Sequence, residues 1–269
     1  MNLTPSYWLV HHPSISQFQW NQGQTWGSTP LFLALTLLTY LSLTYSLSTH
    51  ISLTLPKSLL RLFSAFHNLL LSLLSLIMAL GCSLSILHQM PNYSWIVCFP
   101  PNETLPRGPV FFWANVFYFS KILEFLDTLL IILGGSNDRR RLSFLHVYHH
   151  TVVVVMCYLW LATSQSLFPV ALITNATVHV IMYSYYLLCA LGKRPRWKRA
   201  VTDCQIVQFV FSFCVSGVML YHHFWRGGCC GIWGWCFNAV FNASLLALFL
   251  NFHSKNYQAK KNEQLLKNK

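Results

Sequence analysis

Three histidines lie within one short apolar stretch, residues 144–152, which reads FLHVYHHTV. His149 and His150 follow His146 by three and four residues, so all three share one face of a helix. A neutral imidazole is a nucleophile and a general base near neutral pH, and acyl transfer is one chemistry that such a cluster could perform. Imidazole is also a common metal ligand, and histidines at this spacing can chelate an ion. The other side chains that reach this face decide between the two chemistries.

Three other stretches carry polar side chains at helical spacing. They are SKILEFLDTLL at 120–130, NATVHVIMYSYY at 175–186, and a stretch that opens at Thr202. The residues that share a face within each stretch are Lys121, Glu124, Asp127 and Thr128, then Asn175, His179, Met182, Tyr183 and Tyr186, and finally Gln205 and Gln208. Charged side chains in a membrane-spanning helix cost about 2.5–3.5 kcal/mol each and usually face the interior of a bundle. We therefore expect these faces to meet.

The composition indicates that these stretches lie in a membrane. Of the 269 residues, 54% are hydrophobic and only 9% are charged, and the mean hydropathy is +0.45, whereas a soluble domain carries about 25% charged residues. Apolar runs of about 20 residues, the length that spans a bilayer, predict seven helices at 31–50, 62–86, 110–133, 144–163, 168–191, 203–222 and 232–252. The predicted fold is an all-α membrane protein, with a lumenal segment at 1–30, a seven-helix domain at 31–254 and a basic tail at 255–269.

The distribution of basic residues predicts the orientation of the helices. Most of the 18 lysines and arginines fall in the odd-numbered connections and in the tail, and basic connections remain in the cytosol. The N-terminus is then lumenal or extracellular, and the C-terminus is cytosolic. The sequons at Asn2, Asn92 and Asn102 fall on the predicted non-cytosolic side, where glycosylation takes place.

Three cysteines are also predicted to lie on the non-cytosolic side, where disulfides form. A bridge from Cys98 to either Cys229 or Cys230 would join the second connection to the sixth, and we favour Cys229.

The polar faces are predicted to meet near the cytosolic side. At 1.5 Å per residue, Asp127, His149 and Gln208 lie about 8–9 Å from the cytosolic ends of their spans, and His179 lies about 18 Å deep. Four helices would then line one cavity that opens to the cytosol. The basic connections around it are explained by positive-inside bias and contact with anionic lipid, or additionally by a polyanionic substrate. Nucleic acid is not expected as a partner, because no soluble module is present to bind it.

Three functions are open on these residues. A His-box di-iron oxygenase or desaturase needs more ligands than this cavity supplies, because the remaining histidines, His67 among them, mostly fall in terminal regions or toward the opposite side. A non-enzymatic seven-helix receptor shares the topology, but it places its ligand pocket toward the outside. Acyl transfer without a metal fits best, because Asp127 or Glu124 could orient an imidazole ring while amides and tyrosines donate to an oxyanion.

Four blocks of the sequence together resemble a family signature. They are Lys121-xx-Glu124-xx-Asp127-Thr128, His146-xx-His149-His150, His179-xx-Met182-Tyr183-x-Tyr185-Tyr186 and Thr202-xx-Gln205-xx-Gln208. In this order and spacing they resemble the ELO family of very-long-chain fatty acid elongases, over about residues 115–215. The stretch HVYHHTVVVVMCYLWL is most similar to plant members of that family.

The resemblance implies a 3-oxoacyl-CoA synthase of the endoplasmic reticulum membrane. Such an enzyme condenses a long-chain acyl-CoA with malonyl-CoA, releases CO₂ and CoA, and associates with the other enzymes of the elongation cycle. The implied fold has seven spans, six of which form a barrel around a tunnel for the acyl chain. Membrane lipid is an expected partner, and no cofactor or metal is expected.

The resemblance also implies roles for individual residues. His149 would attack the thioester to form an acyl-imidazole, His179 would assist the second half of the reaction, and His146 and His150 would position or polarise the reacting groups. The supporting cavity would comprise Lys121, Glu124, Asp127, Asn175, Tyr183, Tyr186, Gln205 and Gln208. Candidates for binding the CoA phosphates are Arg141, Arg194, Lys198 and Arg199. Cys204 is a rival nucleophile, since soluble condensing enzymes use cysteine.

Overall fold

The computed structural model describes residues 4–50, 54–135, 142–193 and 195–255. Apart from an isolated antiparallel bridge between Gln19 and Arg107, these residues form helices and their connections. The helices are α1 (Pro13–Ser16), α2 (Pro30–Thr49), α3 (Lys57–Gln89), α4 (Pro109–Leu123), α5 (Phe125–Leu133), α6 (Phe144–Ala162), α7 (Phe168–Ala190), α8 (Lys198–Trp225) and α9 (Ile232–His253), with short turns of other helix types at Tyr7–His11 and Tyr93–Ile96. The prediction of an all-α membrane protein with several spans is confirmed.

Six of these helices are long and apolar enough to cross a membrane, namely α2, α3, α6, α7, α8 and α9. The predicted span at 110–133 is divided instead into α4 and α5, which meet at Glu124. The backbone stays helical there, with φ −62° and ψ −13°, but the turn tightens because the Asp127 amide donates to the Glu124 carbonyl three residues earlier. Such tight turns inside a helix often mark functional positions. The count of seven spans remains a prediction, in which α4 and α5 together form one span.

The pair formed by α3 and α7 has the most extensive helix contact in the bundle. The Ser72 hydroxyl of α3 lies 3.0 Å from the Ser184 hydroxyl of α7 and donates to the Val180 carbonyl at 3.4 Å. Small hydroxylated residues let membrane helices approach closely and bond across their interface. This contact holds the middle of α3 against the helix that carries His179.

The helix α2 lies at the edge of the bundle. Only Tyr40 and Thr44 are buried along its 20 residues, and the Tyr40 ring stacks on Phe125 of α5 with the ring centroids 4.0 Å apart. A peripheral α2 is consistent with one span outside a ring of six. The barrel and its tunnel remain predictions.

A disulfide ties two connections together at one end of the bundle. It joins Cys98, which follows α3, to Cys229, which lies between α8 and α9, while Cys230 is a free thiol. The Cys230 amide also donates to the Phe99 carbonyl at 2.9 Å. The second and sixth connections of the predicted topology are therefore in contact through both backbone and side chain.

Two of the three predicted glycosylation sites lie at this same end. Asn92 and Asn102 belong to the connection that carries the disulfide, whereas Asn2 lies outside the described residues. The N-terminal segment also packs here, because the Trp20 amide donates to the Pro106 carbonyl at 2.8 Å. The side of the membrane that this end faces remains a prediction.

Candidate active site

A buried ion-pair cluster lies where α4, α5 and α7 meet. Lys121 Nζ donates to Glu124 Oε1 at 2.7 Å. His179 Nδ1 lies 3.2 Å from the same oxygen and 3.3 Å from Lys121 Nζ. The exposed fractions of the Lys121, Glu124 and His179 side chains are 1%, 2% and 6%. Charges this deep persist only when they are closely paired and hydrogen-bonded, so the three groups act as one unit.

His149 and His150 of α6 lie near this cluster. His150 is buried and His149 is half-buried, with the two ring centroids 5.6 Å apart. Both rings interact electrostatically with the Lys121–Glu124 pair. The Nδ1 atoms of both rings and Oε2 of Glu124 are buried, and they have no hydrogen-bond partner among the described residues. Because buried polar atoms are normally paired, three unpaired atoms in one cluster indicate a place for a reacting group.

Asp127 organises a second network beside the first. Its Oδ2 accepts a hydrogen bond from the Tyr183 hydroxyl at 2.8 Å, and its Oδ1 lies 3.0 Å from His67 Nε2 on α3. The Tyr183 ring packs edge-on against His179, with the ring centroids 5.4 Å apart. The Asp127 network therefore contacts the ring of His179 through Tyr183.

The expectation that places His67 away from the site is wrong. Its side chain is buried and contacts Asp127 directly. The sequence held a usable signal, because His67 lies five residues inside the predicted span 62–86. That spacing puts it about 8 Å from the cytosolic end, the depth predicted for Asp127 and His149.

The third histidine of the motif is held by hydroxyl groups. His146 Nε2 lies 2.9 Å from Thr128 Oγ1, which lies 3.0 Å from the Tyr40 hydroxyl of α2. The His146 ring in turn packs against His150, with the ring centroids 4.4 Å apart. The peripheral helix α2 therefore reaches the histidine motif through two hydroxyl groups.

The amides predicted to support the cavity are held less tightly. Asn175 Oδ1 is buried and has no hydrogen-bond partner in the described part of the chain. Gln205 Nε2 contacts a methionine sulfur of α7 at 3.4 Å, and Gln208 lines a separate cavity further along α8. The Tyr186 ring packs against Tyr183 at a centroid distance of 6.2 Å. Gln205 and Tyr186 therefore contact residues of α7 that lie close to the two networks, namely Met182 and Tyr183.

The basic residues expected at the mouth are only partly described. Arg141 and Arg194 lie outside the described residues. Lys198 and Arg199 are exposed at the start of α8, and Arg199 Nε lies 3.6 Å from Asp203 Oδ2. An exposed pair of this kind contributes at most about 1 kcal/mol.

Two alternatives to imidazole chemistry are a metal site and a cysteine nucleophile. Among the residues that the structure describes, no group of three or more histidine, cysteine, aspartate or glutamate side chains is arranged to hold a metal ion. Cys204 is a half-buried free thiol near the start of α8. Chelation and substitution experiments distinguish both alternatives from histidine chemistry.

Comparison with known proteins agrees with the four sequence blocks. The model of the ELO family, described as the GNS1/SUR4 family, matches residues 25–265. The chain is 31% identical to fatty acid elongase 3-like of Arabidopsis thaliana and 34% identical to fatty acid elongase A of Dictyostelium discoideum, in each case over 92% of this chain and 90% of the relative. It is 36% identical to very long chain fatty acid elongase 5 of Xenopus laevis, over 54% of this chain and 48% of the relative. The chain belongs to the ELO (GNS1/SUR4) family.

Proposed function

We propose that this protein is a condensing enzyme of fatty acid elongation. It joins a long-chain acyl-CoA to malonyl-CoA and yields a 3-oxoacyl-CoA, CO₂ and CoA. The observation that carries this proposal is the buried unit of Lys121, Glu124 and His179, which lies near the imidazoles of His149 and His150. Family membership supports it, because the relatives compared above are named fatty acid elongases.

In the first half-reaction, His149 is the nucleophile. A ring nitrogen attacks the thioester carbonyl, the carbon–sulfur bond breaks, and CoA leaves as a thiolate that takes up the proton lost by the ring. The product is an acyl-imidazole and free CoA. His149 suits this role because it is only half-buried, whereas His150 beside it is buried. The Lys121 ammonium supplies positive charge near the oxyanion that develops.

In the second half-reaction, malonyl-CoA loses CO₂ and its carbon–carbon electron pair becomes an enolate. The enolate carbon attacks the acyl carbonyl, the carbon–nitrogen bond to His149 breaks, and the ring regains a proton that comes ultimately from solvent. Negative charge develops on the thioester oxygen of malonyl-CoA. His179 is placed to stabilise that charge, because it is held between the Lys121–Glu124 pair and Tyr183.

The proposed cellular setting gives the site access to its substrates. We place the protein in the membrane of the endoplasmic reticulum, with its N-terminus lumenal and its C-terminus cytosolic. The site then opens to cytosolic acyl-CoA and malonyl-CoA, and Lys198 and Arg199, together with Arg141 and Arg194, bind the CoA phosphates. The 3-oxoacyl product must be reduced and dehydrated before another round, so association with enzymes that do so is expected.

Microsomes from cells that express the chain test this function. Supplied with a range of acyl-CoAs and labelled malonyl-CoA, without a reductant, they should incorporate label into 3-oxoacyl products above the level of vector-only microsomes. Chelators of iron and zinc should change the rate by less than about twofold. A loss of incorporation on chelation that iron restores would contradict condensation without a metal, and no incorporation with any acyl-CoA would contradict the condensing function.

Substitutions of His67 test the network around Asp127. His67→Leu removes a partner from a buried carboxylate and should lower kcat about tenfold or more, with a smaller effect on KM because His67 is not expected to touch substrate. His67→Gln retains a donor at the position of Nε2 and should restore most of kcat. The matched control is His88→Leu, at the other end of α3, where the ring contacts His11 rather than the site. A kcat for His67→Leu equal to that of His88→Leu would remove His67 from the mechanism.

A further inference from the structure

A long groove with a volume of about 460 Å³ lies between α2 and the helices α4 and α5, at the edge of the bundle. The residues of α2 that line it lie between Phe32 and Leu47 at intervals of three and four, so they share one face of that helix. The opposite wall extends from Ile122 to Ile132. Most of the lining side chains are leucine, isoleucine and phenylalanine, and we refer to this feature as the α2–α5 groove.

The described part of the chain leaves the α2–α5 groove open. Tyr40 and Thr44 are the buried residues of α2, whereas Leu35 and Leu43, which also line the groove, are both 54% exposed. Cavities with apolar walls remain dry and take up apolar molecules. Since the candidate spans place the groove in a bilayer, a hydrocarbon chain is the occupant that its walls favour.

The dimensions of the groove match a single chain from one leaflet. The wall from Ile122 to Ile132 is about 15 Å long at 1.5 Å per residue, which is half of the about 30 Å hydrocarbon core of a bilayer. A water molecule occupies about 30 Å³ in the liquid, and a methylene group is of similar size. The volume of about 460 Å³ therefore accommodates roughly 15 methylene groups, close to one chain of a common phospholipid.

Basic side chains follow closely on one end of the groove. The Leu55 amide donates to the Leu133 carbonyl at 3.0 Å, so the segment before α3 lies against the end of α5, beside the groove residue Ile132. Lys57 and Arg61, in the first turns of α3, are exposed. This end of the bundle is the one predicted to be cytosolic, and basic residues at that surface attract the anionic lipids of the cytosolic leaflet.

We propose that the α2–α5 groove binds one hydrocarbon chain of an anionic phospholipid of the cytosolic leaflet, with the headgroup near Lys57 and Arg61. A membrane lipid is favoured over the acyl substrate, because the groove adjoins the histidine motif at Thr128. The Thr128 hydroxyl contacts His146 Nε2 at 2.9 Å, whereas the substrate must reach His149. This lipid site goes beyond the proposed function and does not depend on it.

Photolabelling of the full-length protein in phosphatidylcholine nanodiscs tests the site. The probe is a trace of phosphatidylserine with a diazirine in the middle of one chain, and it should label peptides of α2 and α5 above those of the other helices. Leu43→Trp fills the groove and should lower this labelling at least about fivefold. The matched control is Leu38→Trp on the same helix, because Leu38 is 61% exposed but does not line the groove, and its labelling should equal that of the wild type.

A second pair of variants tests the headgroup. Lys57→Gln with Arg61→Gln should lower labelling by the phosphatidylserine probe at least about fivefold, because each basic residue near the surface contributes to the attraction of anionic lipid. The matched control is Lys193→Gln with Arg196→Gln, which removes the same charge from the exposed connection between α7 and α8. Labelling of the α2 and α5 peptides in this control should equal that of the wild type.

Three results would overturn the lipid site. Labelling spread evenly over the lipid-facing helices, or unchanged by Leu43→Trp, would show that the groove does not retain a chain. Loss of labelling on addition of octadecanoyl-CoA would assign the groove to the acyl substrate instead. Equal labelling by a phosphatidylcholine probe would remove the preference for an anionic headgroup. Labelling requires no malonyl-CoA, so none of these results bears on the condensation that tests the proposed function.

Discussion

Replacement of His149 by alanine should lower the condensation rate by at least about 10³-fold, whereas Cys204→Ser should retain most of the wild-type rate. The first change removes the atom that forms the covalent bond to the acyl group, and loss of a nucleophile is among the largest effects a single substitution has on catalysis. The second change removes a thiol that would matter only if the condensation used cysteine. Label from malonyl-CoA in 3-oxoacyl products measures both rates.

Incubation with acyl-CoA alone tests the same assignment more directly. Without malonyl-CoA the second half-reaction cannot proceed, so the wild-type protein should release about one equivalent of CoA and gain the mass of one acyl group. That mass should map to the peptide that contains His149. Cys204→Ser should still form the adduct, while His149→Ala should form none and should keep the thermal midpoint of the wild type in detergent. An adduct on Cys204, or one that survives in His149→Ala, would contradict the mechanism.

The sequence predicts the helices and their polar faces well because both depend on local spacing. Runs of about 20 apolar residues identify six of the spans, and offsets of three, four and seven residues put Lys121, Glu124 and Thr128 on one side of the chain. Buried polar groups in a membrane need partners, so convergence of the polar faces could be expected. The pairing of His179 with one Glu124 oxygen depends on how α4 and α7 pack, and spacing within each helix does not determine that packing.

Two of the features that sequence reasoning missed are contacts between distant segments, and a third is a local turn. His67 meets Asp127 because α3 also contacts α5, and Tyr40 reaches Thr128 because the outer helix α2 lies against α5. The tightened turn at Glu124 is invisible in a hydropathy pattern, since its neighbours on both sides are apolar and helical. The contact of His67 could have been predicted from its depth in the membrane. His67 and Asp127 lie at about the same predicted distance from the cytosolic ends of their spans.

Substitutions of the Lys121–Glu124 pair should separate stability from catalysis. Lys121→Met leaves the Glu124 carboxylate in the membrane interior without its cation, and breaking a buried pair in this way destabilises a protein by about 3–5 kcal/mol. The double variant Lys121→Met with Glu124→Gln has no unpaired charge and should recover the wild-type thermal midpoint in detergent. It should remain inactive in condensation, because the unit that stabilises developing negative charge beside His179 is gone.

The matched control is the exposed pair of Arg199 and Asp203, which has similar helical spacing but contacts solvent. Arg199→Met should change the free energy of unfolding by less than about 1 kcal/mol. If Lys121→Met and Arg199→Met had the same free energy of unfolding, the Lys121 side chain would have to be hydrated rather than buried. An active double variant at Lys121 and Glu124 would show instead that the pair is structural, and the oxyanion would then have to be stabilised by His179 and its tyrosine neighbour alone.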